Sequence, residues 1–312
     1  MIVVPQAFAR STVDREGDAG TRWLMLLPEL VAELLERWDC EPHGELMYGG
    51  VGVVVPVRRR DVGDAVLKVS FPHPGNVYEP DAFAAWRGCG AVVLHERDDA
   101  QYAMLLERAH SMTLASVGDE DEIARVAGRL NHRLAIAGPP ELPRLRDQAD
   151  EWDERLVRDA GELSHGMSRR VVDAARATIR EFGRVQPELL VHGDFHGRNI
   201  LRADREPWLA IDPKGCTGDP AYDAGTLLKT RALTLLVTSD PAKAVFRFLD
   251  VFSEAAELDR ERVQRWSQLH AVQTAFWGRR HGFRRARSGP ELPRYINLAE
   301  RLAELLTEPR PV

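Results

Sequence analysis

At 312 residues and 44% hydrophobic content, the chain is long enough for one large domain or two lobes around a real core. A formal net charge of −6 disfavours a nucleic-acid partner, no apolar run approaches membrane-spanning length, and Met1 to Arg10 lacks a signal pattern. The expectation is a cytoplasmic protein with no membrane or nucleic-acid partner, whose three cysteines (Cys40, Cys89 and Cys216) are ordinary thiols without metal-ligand spacing.

Residues 1–20 are polar and rich in Gly and Asp, the composition of a loosely held lead-in. From Trp23 to Trp38 apolar residues recur at helical spacing, and Pro28 suits a first turn, so a helix is predicted over Pro28 to Trp38. Residues 44–71 read as β structure. A Gly-rich turn (Gly49, Gly50 and Gly52) separates two strands, a hairpin turn covers Asp61 to Asp64, and Ala65 to Val69 is the next strand. Gly-rich backbone can approach a phosphate and offer N–H donors, although hairpin turns use glycine just as readily. Of the 42 basic residues only Lys68, Lys214, Lys229 and Lys243 are lysine. A lysine within a strand therefore stands out, and Lys68 is the candidate for the α/β-phosphates of a nucleotide.

Glu79 to Trp86 opens a helix with Pro at its start and acids in the first turn. Glu79 is the expected ion-pair partner of Lys68, with Asp81 in reserve. Ala91 to Leu94 and Tyr102 to Leu106 are predicted strands, with Arg97 to Asp99 between them. Glu107 to Ala109 then reads as the crossover into a second lobe, its backbone at Glu107 and Ala109 available to a nucleotide base. The remainder is mainly helical: one helix from Asp119 ended by Gly138-Pro139-Pro140, then Gln148 to Arg158, Val171 to Phe182, and residues 241–257, 260–278 and 292–307.

One stretch interrupts those helices. Leu189-Leu190-Val191 is a short buried strand, His192-Gly193-Asp194 turns the chain, and Asn199 follows five residues after Asp194. A second apolar run, Trp208 to Ile211, delivers Asp212 at its end. An acid that can accept a hydroxyl proton, followed by an Asn and an Asp that can hold Mg²⁺, is the arrangement phosphoryl transfer requires. The γ-phosphoryl carries dense negative charge, so a hard cation on oxygen ligands is needed, and the attacking alcohol needs a carboxylate beside it. Beyond it, Gly218 to Asp223 predicts a helix start with Asp219 as N-cap and Pro220 at the first helical position.

These motifs resemble the aminoglycoside and hydroxyurea phosphotransferase family, and most of all its streptomycin 6-kinase branch. The resemblance is carried by Val66-Leu67-Lys68, Leu105 to Arg108, Val191 to His196, Leu209 to Gly215 and Gly218 to Asp223, in order over nearly the whole chain. It implies an α+β, bilobal, protein-kinase-like fold with a small β-rich N-lobe (1–108) and a larger helical C-lobe (109–312). It implies ATP (or GTP) and Mg²⁺ as cofactors, Asp194 as catalytic base, Asn199 and Asp212 as metal ligands, and Lys68 on the phosphates. The implied acceptor is a hydroxyl of a small molecule, streptomycin or a related aminoglycoside, and the implied state is a monomer. A kinase of another hydroxyl compound, such as hydroxyurea or a sugar, uses the same machinery, and a nucleotide-binding pseudokinase is the non-enzymatic alternative. The family often has Leu and Pro-Gly where this chain has Phe195 and Gly197-Arg198.

A cationic acceptor favours a carboxylate-lined pocket, which Asp150, Glu151, Asp153 and Glu154 could supply, although acids on a solvated helix face are the commoner case. The basic run Arg279 to Arg287 would repel such an acceptor if it faced the cleft; a surface helix end is the expected placement.

Overall fold

A computed structural model describes residues 2–283 and 289–309. The chain divides into two compact units, Met1–His110 and Ser111–Val312.

The first unit is a six-stranded antiparallel sheet with two helices. Its strands are β1 (Glu41–Pro42), β2 (Met47–Tyr48), β3 (Gly52–Arg59), β4 (Gly63–Ser70), β5 (Leu94–Asp98) and β6 (Ala103–Glu107). The order is β1-β3-β4-β6-β5, with β2 also pairing β3. Alternation along β4 buries Ala65, Leu67 and Val69 against α1 (Gln6–Arg37), whose Leu27, Val31 and Leu34 belong to the same core. Lys68 therefore points to the opposite face, where α2 (Glu79–Trp86) brings Glu79 within 2.5 Å of its Nζ.

Three expectations fail here. The predicted lead-in is helical from Gln6, with a kink at Gly17 (φ 60°), and Phe8 is buried against Trp23 and Tyr48. Its few inward-facing residues are too sparse to register as a pattern, because most of that segment faces solvent. Pro28 accordingly lies inside α1 rather than in its first turn. Trp23 and Leu24 pack onto the sheet core and carry the helix upstream, so proline removes a single backbone donor. Finally, the fifth strand is Leu94–Asp98 rather than Ala91 to Leu94, and the turn lies beyond Asp98. Charged residues suit that strand because it is the edge of the sheet.

The second unit consists of α3 (Glu120–Leu134), α4 (Ala149–Glu162), α5 (Arg169–Thr178), α6 (Tyr222–Leu235), α7 (Pro241–Ala256), α8 (Arg260–His281) and α9 (Glu291–Thr307). Helix α3 packs on α7, and α8 packs against α5, α6 and α9. Two short antiparallel ribbons are set into these helices. In one, β7 (Leu189–Val191) pairs with β10 (Cys216–Gly218); in the other, β8 (Ile200–Arg202) pairs with β9 (Trp208–Ala210). The α5 helix ends at Thr178 and runs on as one π-helical turn, Ile179–Gly183. Helix α3 ends at Leu134, before the Gly138-Pro139-Pro140 run expected to stop it. Among the described residues no helix is long and apolar enough to cross a membrane.

Candidate active site

The two ribbons bring Asp194, Asn199 and Asp212 onto neighbouring loops. Asp194 and Asn199 lie between β7 and β8, and Asp212 between β9 and β10. Four hydrogen bonds knit these loops. Asn199 Nδ2 donates to the Asp194 carbonyl (3.0 Å), and Ile211 N–H to the Asn199 carbonyl (2.9 Å). Lys214 N–H donates to the His192 carbonyl (2.7 Å), and His192 Nε2–H to the Ile211 carbonyl (2.9 Å). The last bond assigns the tautomer, because His192 is fully buried and burial pushes it down to about 4, leaving it neutral. Its Nδ1 then accepts the Asp194 N–H (3.3 Å).

Asp223, at the start of α6, anchors the turn from below. Its Oδ2 accepts the His192 N–H (3.0 Å) and its Oδ1 the Gly193 N–H (2.9 Å). Burial pushes this carboxyl up to about 7, against the lowering effect of those two bonds. Gly193 has φ 79°, and a Cβ there would meet Lys214 Cβ at 3.0 Å, so the turn needs glycine twice over. Asp212 holds a left-handed φ of 61° without being glycine, a local strain that the surrounding hydrogen bonds sustain. The Asp194 carboxylate stays a third exposed, 3.7 Å from His196 Nε2.

The oxygen donors suit a hard cation. Asn199 commits its amide nitrogen to the Asp194 carbonyl, so Oδ1 is the atom of its side chain that could serve as an oxygen donor, and Asp212 offers a carboxylate on the neighbouring loop. Among the described residues no group of three or more His, Cys, Asp or Glu forms a metal cage. Two protein donors are what Mg²⁺ takes when phosphate oxygens and water complete its shell.

The other sequence-derived candidates lie in the first unit. Lys68 and Glu79 form a partly buried ion pair, and the reserve acid Asp81 instead binds Arg97 (2.8 Å). Gly49 and Gly50 occupy the exposed β2–β3 turn, closed by the Gly49 N–H to Gly52 carbonyl bond (2.9 Å). A Cβ at Gly52 would lie 2.6 Å from the Val69 carbonyl oxygen, so packing requires that glycine. Glu107 sits at the end of β6, where its carboxylate accepts the Val93 N–H (3.0 Å), and Ala109 follows just beyond.

Several residues escaped the sequence reading. Asp219 was expected to cap α6, but the helix begins two residues later, after a tight turn closed by Tyr222 N–H to the Asp219 carbonyl (2.9 Å). Its carboxylate instead accepts the Ala221 N–H, Arg262 and the Trp266 indole. The acids weighed for a cationic pocket are mostly engaged in ion pairs. Asp150 pairs with Arg184, Glu151 with Arg155 and Asp153 with Arg176, while Glu154 stays exposed. A cavity of about 710 Å³ does open beside Gly193, with Trp152, Tyr222, Lys229, His270 and Trp277 among its walls. Its acid is Asp159, which binds Arg280. Of the basic run, Arg279 pairs with Glu300, and Arg280 reaches the cavity with its charge matched by Asp159 and Glu162. Arg284, Arg285 and Arg287 lie outside the described residues.

Known proteins share both the sequence and the fold. The chain is 34% identical over 305 residues to a streptomycin 6-kinase of Streptomyces griseus, covering 97% of this chain and 98% of that protein. It is 32% identical to a hydroxyurea phosphotransferase of Kitasatospora aureofaciens, over 89% of this chain and 80% of the relative. The aminoglycoside phosphotransferase APH(4)-Ia superposes with a TM-score of 0.58 at 13% identity, covering 90% of this chain and 98% of that one, so the fold is protein-kinase-like. The sequence profile of the aminoglycoside/hydroxyurea antibiotic resistance kinases matches residues 37–282, and with these relatives it establishes that the chain belongs to that family of O-phosphotransferases.

Proposed function

We propose that the chain transfers the γ-phosphoryl group of ATP, with Mg²⁺, to a hydroxyl of streptomycin or a closely related aminoglycoside. The observation that carries this reading is the hydrogen-bonded pair of loops bearing Asp194, Asn199 and Asp212. Asp194, held by its own backbone and partly exposed, orients the acceptor hydroxyl and takes its proton. Asn199 Oδ1 and the Asp212 carboxylate would hold the cation. When bound, Mg²⁺ neutralises charge on the phosphate oxygens. Lys68, fixed by Glu79, supplies a compact ammonium to the phosphates.

At Gly49 and Gly50 neither packing nor a left-handed φ requires glycine, which supports close approach of a phosphate as the reason for it. Ala109 makes no backbone hydrogen bond among the described residues, which suits a nucleotide base. The cavity beside Gly193 is of a size that holds a drug-sized ligand. A cavity of that size admits an aminoglycoside as well as the much smaller hydroxyurea. The test is ADP release with Mg–ATP and a panel of streptomycin, other aminoglycosides, hydroxyurea and sugars. Streptomycin should turn over fastest. Asp194→Asn should lower turnover by about 10²-fold or more while nucleotide affinity stays near the parent's. Near-normal turnover in that variant refutes the assignment of the base.

A further inference from the structure

Lysine is scarce in this chain, and its placement is selective. Lys243 is exposed on α7, and Lys68 is paired with Glu79. Lys214 and Lys229 both belong to the surroundings of the Asp194 turn. Lys214 N–H bonds the His192 carbonyl, and Lys229 shares a cavity wall with Gly193. A chain that otherwise uses arginine keeps lysine here, where a compact ammonium and a planar fork are least interchangeable.

Lys229 lies on α6 one turn beyond Thr226 and two beyond Tyr222, so all three line the cavity from one helix face. The arginines of that wall have acid partners: Arg155 has Glu151, Arg158 approaches Asp159, and Arg280 has Asp159 and Glu162. Lys229 makes no hydrogen bond or ion pair among the described residues, and burial draws its ammonium below the usual lysine value. Asp194 and Asp223 are the acids whose charge it feels. Beside it, His270 is buried with Nε2 lacking any partner, and burial together with the Lys229 charge keeps that ring neutral. The ring packs edge-on to Tyr222 (4.3 Å between centroids), in space that only glycine at 225 leaves open. A partly buried cation with no direct ion-pair partner among the described residues opposes folding, so its retention calls for a ligand.

We propose that Lys229 is an acceptor-binding residue: its ammonium donates hydrogen bonds to oxygens of the acceptor next to the reacting hydroxyl and so holds that hydroxyl at Asp194. This rests on the phosphotransferase reading above. An ammonium has three donors and no acceptor, so the end of the acceptor that enters here is dense in oxygen, as in a polyol ring or sugar. The acceptor's own cationic groups lie away from it.

The experiment uses the full chain with Mg–ATP and streptomycin, or with hydroxyurea should that be the acceptor turned over. Lys229→Met should raise the acceptor KM about ten- to a hundredfold, the range expected on losing hydrogen bonds from a charged donor. The ATP KM should stay within about twofold, and Tm should be unchanged or higher because a costly buried charge has gone. Lys229→Arg should fail to restore the acceptor KM. An unchanged acceptor KM in Lys229→Met, or a fall in Tm accompanying the loss, overturns the inference while leaving the phosphotransferase reading intact. Absence of turnover by the wild-type chain with either compound removes that reading, and this inference with it.

Discussion

Asp223→Asn separates the hydrogen-bonding role of this residue from its charge. In the wild-type chain both carboxylate oxygens accept backbone N–H groups of the turn before Asp194. The folded carboxyl is raised to about 7, so the folded state holds a proton that the unfolded chain releases near pH 4. Its contribution to stability is therefore complete at low pH and is lost as pH rises from about 4 to about 7, a change of about 4 kcal/mol. His192 has the opposite sign. Its folded value of about 4 lies below that of the unfolded chain, so stability is lost as pH falls from about 6.5 to about 4, by about 3 kcal/mol. Between those limits the two nearly cancel in the wild type. Asparagine removes only the first.

At low pH the variant should be less stable by about 1–3 kcal/mol, since its one carbonyl oxygen leaves a backbone N–H without an acceptor. Relative to wild type it should then gain about 4 kcal/mol as pH rises to about 8. At about 2–4 °C per kcal/mol for a chain of this size, the difference in Tm should shift in the variant's favour by roughly 10 °C. Thermal melts of both proteins from about pH 4.5 to 8, followed by circular dichroism, measure this directly. Parallel Tm–pH curves would refute the reasoning, because they would mean that Asp223 does not titrate differently in the folded and unfolded states.

Two further outcomes follow from the same geometry. Lys68→Arg should lower turnover at least about tenfold with the fold retained, because the longer planar fork cannot reproduce a compact ammonium against Glu79; parent-like activity would mean that Lys68 does not hold the phosphates. Asp212→Asn should leave Tm nearly unchanged, since Asn tolerates the left-handed φ of 61°, while raising the Mg²⁺ concentration for half-maximal rate about tenfold or more. An unchanged Mg²⁺ dependence would exclude Asp212 as a ligand.

Much of the site was legible because its parts are local. Leu189 to Asp194 and Trp208 to Asp212 are each a short apolar strand ending in a polar turn, a pattern visible within a few residues. The Lys68–Glu79 pair was accessible because lysine is rare here and Glu79 opens the adjacent helix. The N-terminal segment was not. Phe8 and Thr12 are its inward residues up to Gly17, and their burial depends on packing that no local pattern records.

The sequence alone determined most strands and helices beyond the N-terminal segment, the order of the candidate site motifs and the residue types that suit phosphoryl transfer. These follow from periodicity, turn chemistry and the oxygen ligands a phosphate-bound cation demands. The tertiary structure decided what the remaining polar residues are for. Asp219 and Asp223 lie four residues apart in one motif, yet one holds Arg262 and Trp266 while the other holds the turn before Asp194. Asp150 and Asp153 of α4 are taken up by arginines distant in sequence, whereas Lys229 is left facing a cavity. A carboxylate's partner is set by which helices pack together, and that long-range choice leaves no trace in local spacing.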